Sequence, residues 1–353
     1  MICADVISKK PRLLTIRKIM SDSKYFYGKE NIPITLIGGS GRSGTTIFRR
    51  LFETHPDVCC IQEWRIPVDP GGLVDFFSGI TETWTPLIFD ARYRELARII
   101  SKTGNKNYLT KIYRSFFHKF PFYKFTDFNF DIAYGAVDLS TFSPRYESLA
   151  KELLQELQKF KYQASWTGKE WMSCRELVYA YPFERHQLAI LLGEFFRAVA
   201  SDCTRTRGGK FFLDKNTWYP LVFDKFHELV PEAKLVVINR DPRDVICSFT
   251  EQRWAPKELT KAAQYYRGIM DRWYMVKDQL PRDCYIEIRY EDLVAAPVDV
   301  LRTVCEFSGL PMPKEPYGLN NFAVGRWRKQ LSKSQLESIA PYVIKELGVN
   351  WGI

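Results

Sequence analysis

The stretch Ile34-Thr-Leu-Ile-Gly-Gly-Ser-Gly-Arg-Ser-Gly-Thr-Thr-Ile-Phe48 constrains this chain more than any other. Its first four residues are apolar or β-branched and read as a short buried strand. Gly38, Gly39, Gly41 and Gly44 follow, mixed with Ser40, Arg42, Ser43, Thr45 and Thr46. Ile47, Phe48, Leu51 and Phe52 then recur at helical spacing, with Arg49 and Arg50 on the other side. A strand, a glycine-rich turn and a helix start, in that order, cradle a phosphate. The glycines let backbone N–H groups converge on the anion, and the helix N-terminus adds its partial positive charge.

The spacing from Gly39 to Gly44 is that of a Walker A loop, but Thr45 stands where a nucleoside-triphosphate loop carries Lys. The cation nearest the turn is Arg42, inside it. This pattern suits a 5′-phosphate whose transferred group is less charged and needs no metal. A P-loop kinase, with Asp214 holding Mg²⁺, is the alternative that Thr45 argues against. A non-catalytic nucleotide-binding protein is a third reading.

The rest of the chain reads as alternating strands and helices, which predicts an α/β fold: a doubly wound, mostly parallel sheet. Val58 to Ile61 predicts a second strand, leaving Glu63 and Arg65 at its C-terminal edge, where ligands sit in such sheets. Lys210 to Asn216 predicts a strand ending at Asp214 and Lys215. Leu235 to Ile238 predicts a doubly buried strand that stops at Arg240, with Ser248 two helical turns further on. Tyr285 to Tyr290 alternates as a last strand, and 323–329 reads as a basic loop carrying Arg326 and Arg328. Between about 68 and 207 the character changes to amphipathic helices and aromatic-rich stretches, with a helix start expected at Ser143-Pro144. This block reads as a large helical insertion over the acceptor side of one domain spanning 31–353, and residues 1–30 read as a basic N-terminal arm.

Charge and cysteine usage narrow the class. The net charge of +10 is spread along the chain with no nucleic-acid motif, so it is assigned to a cleft for a doubly phosphorylated nucleotide, with no nucleic-acid partner. The eight cysteines are scattered and the four histidines lie far apart, which gives no support for a metal site. Reduced thiols, no apolar run long enough for a transmembrane helix and no secretory signal make the expected location cytoplasmic.

Four pieces agree with one family: 41–46, Leu213-Asp214-Lys215, Arg240 with Ser248, and Gly325-Arg326-Trp327. In this order they resemble the sulfotransferases that use 3′-phosphoadenosine-5′-phosphosulfate (PAPS) and release the bisphosphate PAP. The pattern from Arg42 to Arg65 is most similar to the tyrosylprotein sulfotransferases and related bacterial-type enzymes. The resemblance implies that Gly41, Arg42, Ser43, Gly44, Thr45 and Thr46 bind the 5′-phosphate and sulfuryl oxygens. Arg240 and Ser248, aided by Arg326 and Arg328, would bind the 3′-phosphate. Lys215, with Arg42, would stabilise the leaving phosphate, Glu63 would be the general base, and Arg65 would hold Glu63 ionised or grip the acceptor. The implied acceptor is a hydroxyl, or an amine, of a small molecule, lipid or sugar, and a homodimer is left open.

Three departures from the family pattern shape these expectations. The small-molecule cytosolic branch has a catalytic His two residues after the Lys, where Thr217 stands here, which favours Glu63 as base. That branch also stacks adenine on a Trp at the position of Ile47. A cysteine pair of the tyrosylprotein branch is expected to be missing, because Cys60 should face Leu213.

Overall fold

The computed structural model describes residues 32–102, 139–164, 175–313 and 324–347; the N-terminal arm lies outside them. Five parallel strands form the main sheet: β1 (Ile34–Gly39), β2 (Val58–Gln62), β5 (Phe211–Lys215), β6 (Lys234–Asn239) and β7 (Tyr285–Arg289). Their order is β2-β5-β1-β6-β7, so the strand that feeds the glycine loop lies at the centre. From β1 the chain crosses to the edge strand β2, returns to β5 beside β1, and then passes to β6 and β7 on the other side. The direction of travel reverses next to β1, which opens a crevice at the carboxyl ends of β5, β1 and β6.

The strands are buried on both faces, and alternate residues serve the two cores. Leu36, Cys59, Ile61, Phe212, Leu235 and Val237 enter one core, while Ile37, Val58, Cys60, Leu213, Val236 and Ile238 enter the other. Cys59 and Cys60 thus point to opposite faces, and Cys60 is paired in register with Leu213. Both thiols are free, and burial pushes them up to about 11 and about 12.

The smaller core is closed by α1 (Thr45–Glu53) and, after β7, by α9 (Tyr290–Ala295) and α10 (Pro297–Ser308). Arg49, expected on the outer side of α1, is instead buried and paired with Glu53 at 3.2 Å. The larger core collects α2 (Leu73–Glu82), α3 (Pro86–Lys102), α4 (Tyr146–Leu157) and α5 (Arg185–Thr206) from the 68–207 block. It also collects α6 (Tyr219–Leu229), α7 (Pro242–Thr250), α8 (Leu259–Lys277) and α12 (Lys333–Leu347). Trp64, just after β2, stacks on Phe196 of α5 with ring centroids 4.7 Å apart. The block also contains an antiparallel pair, β3 (Phe160–Ala164) with β4 (Arg175–Tyr179), that helical periodicity did not reveal.

The helix expected to start at Ser143-Pro144 starts at Tyr146 instead. Asp202 explains the delay: its Oδ2 accepts both the Ser143 hydroxyl at 2.6 Å and the Arg145 amide at 3.0 Å. Within the expected basic loop, Trp327–Gln330 forms one helical turn, α11. No helix among the described residues is long and apolar enough to cross a membrane.

Candidate active site

The loop between β1 and α1 is tight because two of its glycines admit no side chain. A Cβ on Gly44, which caps α1 with φ of +99°, would collide with the Tyr290 ring. A Cβ on Gly39 would lie 2.6 Å from the Ile238 carbonyl oxygen. Arg42 itself adopts φ of +55°, a conformation that costs a non-glycine residue about 1–3 kcal/mol. Ser43 is fully buried, and its hydroxyl has no protein partner. A buried, unpaired hydroxyl at a helix N-terminus fits an anionic oxygen, since burial without a partner costs free energy that such an acceptor restores. Thr45 is buried and Thr46 is exposed on the first turn of α1.

Beside the loop, β6 delivers Arg240 and α7 delivers Ser248. Asp241 caps α7 by accepting the Arg243 amide at 2.9 Å, and Pro242 opens the helix. Arg42 Nε donates to Ser248 Oγ at 2.9 Å, and Arg240 Nη1 donates to the Arg42 carbonyl at 3.0 Å. Three residues singled out from different parts of the chain therefore meet. Arg240 is almost fully buried, lies over the Tyr290 ring at 5.1 Å and pairs with Asp244 at 3.3 Å.

Asp244 had no role in the sequence reading, yet it joins the fourth piece to this cluster. Its two carboxylate oxygens accept the Gly325 amide at 2.8 Å and the Trp327 amide at 2.9 Å. Arg326 then pairs with Glu251 at 3.0 Å, and Arg328 lies 4.9 Å from the Trp327 ring, which Arg243 also covers at 3.8 Å. An acid in the first turn of α7 was the available signal, but first-turn acids are common because they suit the helix dipole.

On the other flank, β5 ends at Lys215, in register with Ile37 of β1 and Gln62 of β2. Lys215 is buried, and its Nζ donates to Glu63 Oε1. The Glu63 side chain is half exposed, and its backbone takes φ of +51°. Asp214 and Asn216 flank Lys215 and grip the next residue, Trp64: Asp214 Oδ1 accepts the Trp64 amide at 3.1 Å, and Asn216 Nδ2 donates to the Trp64 carbonyl at 3.3 Å. Asp214 Oδ2 also accepts the Tyr219 hydroxyl at 2.6 Å. Burial raises the Asp214 carboxyl to about 7, against the opposing pull of its hydrogen bonds to Tyr219 and Trp64 and of the Lys215 charge.

Arg65, two residues after Glu63, donates from its Nε to Asp69 at 2.6 Å. Trp254, half exposed, approaches the loop at Gly41 and is held edge-on by Trp218 and Phe249.

The arrangement therefore places a buried cation and an accessible carboxylate at one end of an anion-binding loop, and a buried arginine at the other. Such a layout can hold two phosphate-like groups and move a proton at the end where the carboxylate sits.

Residues 138–314 match the model of the sulfotransferase family. A protein-tyrosine sulfotransferase of Drosophila melanogaster is 40% identical over 58 residues, which are 16% of this chain and 11% of the relative. Protein-tyrosine sulfotransferase 2 of Gallus gallus is 41% identical over 71 residues, 18% of this chain and 19% of the relative. The chain thus matches less than a fifth of the length of either relative. Among solved structures, the sulfotransferase domain of the Synechococcus PCC 7002 olefin synthase is 16% identical, with 89% of this chain and 94% of that one covered and a TM-score of 0.48. Sulfotransferase STF9 from Mycobacterium avium is 15% identical, with 96% and 81% covered and a TM-score of 0.42. With the matched family model spanning half of its length, the chain belongs to the sulfotransferase family.

Proposed function

We propose that this chain transfers a sulfuryl group from PAPS to an acceptor hydroxyl, or to an amine, by in-line displacement with Glu63 as general base. The observation that carries the reading is the Lys215–Glu63 pair at the sheet edge, next to the glycine loop. The donor supplies an electrophilic sulfuryl group and leaves as the bisphosphate. Lys215, held in a buried position, compensates negative charge that grows on the leaving oxygen, an effect that needs no reorganisation when the cation is already fixed. Glu63 takes the proton of the attacking hydroxyl, a contribution of about 10²–10⁴-fold.

The remaining residues divide the binding of the two phosphates. The amides of Gly41 to Gly44, the Arg42 side chain and the hydroxyls of Ser43, Thr45 and Thr46 hold the 5′-phosphate and sulfuryl oxygens. The buried, unpaired Ser43 hydroxyl supports this fit. Arg240 and Ser248 hold the 3′-phosphate, with Arg326 and Arg328 at its margin. With Arg42, Lys215 and Arg240 on the donor and Arg326 and Arg328 at its margin, the reading requires no metal ion. The acceptor is a small molecule, lipid or sugar that reaches Glu63 from its exposed side, with Arg65 nearby to hold it. The free cysteines on β2, with Cys60 paired in register with Leu213 and not with another cysteine, favour a reducing compartment, the cytoplasm.

Calorimetric titration with adenosine 3′,5′-bisphosphate, with and without Mg²⁺ and against ATP, tests the donor assignment. Micromolar, metal-independent binding that disappears without the 3′-phosphate is expected. Mg²⁺-dependent ATP binding with no affinity for the bisphosphate would overturn it.

A further inference from the structure

We infer that Asp214 is a positioning residue, whose carboxylate holds the Trp64 amide and thereby fixes Glu63 against Lys215. The inference rests on the proposed roles of Glu63 and Lys215. Glu63 sits in a left-handed backbone conformation at the end of β2, a strained position that persists only where its neighbours over-determine it. The neighbours that do so are Asp214 and Asn216, which seize the amide and the carbonyl of Trp64 from either side of Lys215. The three residues Asp214 to Asn216, at the end of β5 and just past it, therefore present the cation and set the place of the carboxylate that meets it.

A buried carboxyl is an expensive way to cap one amide, because an alanine or a polar neutral residue at this position would leave no charge to desolvate. The groups facing Asp214 are Lys215 on its own strand, Glu63 after β2, Cys59 on β2, Cys203 on α5 and Tyr219 on α6. Burial brings its titration to about 7. When ionised, both oxygens accept, one from Trp64 and one from Tyr219; when protonated, one acceptor is lost and the clamp slackens. The sign follows: the clamp is complete above the folded-state value and loosens as pH falls through it.

The test uses the full chain and two readouts. Labelling of Lys215 Nζ by fluorodinitrobenzene, followed by peptide mass spectrometry, reports the Lys215–Glu63 contact without any acceptor. Release of the bisphosphate from PAPS with water as acceptor reports turnover. Asp214→Ala is expected to speed Lys215 labelling several-fold and to lower the release rate about tenfold or more, with bisphosphate affinity within about twofold of wild type. Asp214→Asn keeps one acceptor for the Trp64 amide and mimics the protonated carboxyl, so its rate should be intermediate and flat from about pH 6 to 8, where the wild-type rate rises. Wild-type labelling and release in Asp214→Ala, or a wild-type rise with pH in Asp214→Asn, would overturn the inference. Glu63→Ala separates this from the function itself: if that variant releases bisphosphate at the wild-type rate, the reaction assignment fails while the labelling result still decides the clamp.

Discussion

Arg42 Nε donates to Ser248 Oγ at 2.9 Å across 206 positions of sequence, so the glycine loop and the helix after β6 are joined by a side-chain bond. The same loop residue receives Arg240 on its carbonyl. The two anion-binding ends of the proposed donor site are thus mechanically connected: a change at Ser248 is felt at Arg42.

Ser248→Ala should therefore weaken bisphosphate binding at both ends. Losing one hydrogen bond to a charged partner is worth about 1.5–3 kcal/mol, which is roughly a ten- to hundredfold increase in Kd. Calorimetric titration of the variant with adenosine 3′,5′-bisphosphate measures it. An unchanged Kd would show that the Arg42–Ser248 bond contributes nothing to donor binding.

Asp244 pairs with Arg240 and holds the amides of Gly325 and Trp327, so Asp244→Ala should release the segment carrying Arg326 and Arg328 and remove a buried counter-ion from Arg240. The expected result is a loss of about tenfold or more in affinity for the bisphosphate, since removing one member of a buried pair is costly. Affinity for adenosine 5′-phosphosulfate, which lacks the 3′-phosphate, should change far less. Equal losses for both ligands would mean that Asp244 supports the whole fold rather than the 3′-phosphate end.

The Asp214 carboxyl titrates at about 7 in the folded chain against an ordinary value of 3.8. A raised carboxyl contributes stability that is present below the unfolded value and lost as pH rises through the folded one. The difference, about 3 units, bounds the effect at about 4 kcal/mol. Asp214→Asn escapes this loss, so it should melt a few degrees above wild type at about pH 8 and lose that advantage near pH 5. Thermal unfolding followed by circular dichroism at both values checks the sign. A variant less stable than wild type at the higher pH would contradict a desolvated carboxylate at this position.

Much of this architecture was legible in the sequence because it rests on local chemistry. The apolar runs Ile34 to Ile37 and Leu235 to Ile238 each favour a buried strand, and the structure has both, the first extended through Gly38 and Gly39. The strand ends at Lys215 and Arg240 were visible for the same reason. What was not legible depends on long-range pairing. That Asp214 would cap Trp64 across 150 positions, or that Asp244 would hold Gly325, has no local signature, since an acidic residue beside a strand or in a first helical turn is common. The β3–β4 pair was hidden in the same way, because its strands are stabilised by cross-strand neighbours rather than by a period of their own. Tertiary competition also explains Ser143, whose hydroxyl bonds Asp202 while the helix begins three residues later.

The pairing of Glu63 with Lys215 admits two descriptions that a single substitution does not separate. Glu63 is either the base for the acceptor or only the counter-ion of a buried lysine. Glu63→Ala removes both roles, whereas Glu63→Gln keeps an oxygen that accepts from Lys215 Nζ and abolishes the basicity. If Glu63 is the base, both variants should lose about 10²–10⁴-fold in kcat. Bisphosphate affinity should stay within about twofold, because the loss falls on a step that donor binding does not include. Lys215→Ala should lose turnover as severely, again with donor affinity nearly unchanged. Single-turnover conversion of PAPS by the three variants, with titrations alongside, reads these quantities. A Glu63→Gln variant that keeps wild-type kcat would reduce Glu63 to the counter-ion of Lys215 and send the search for a base to the other groups along the exposed side of the loop.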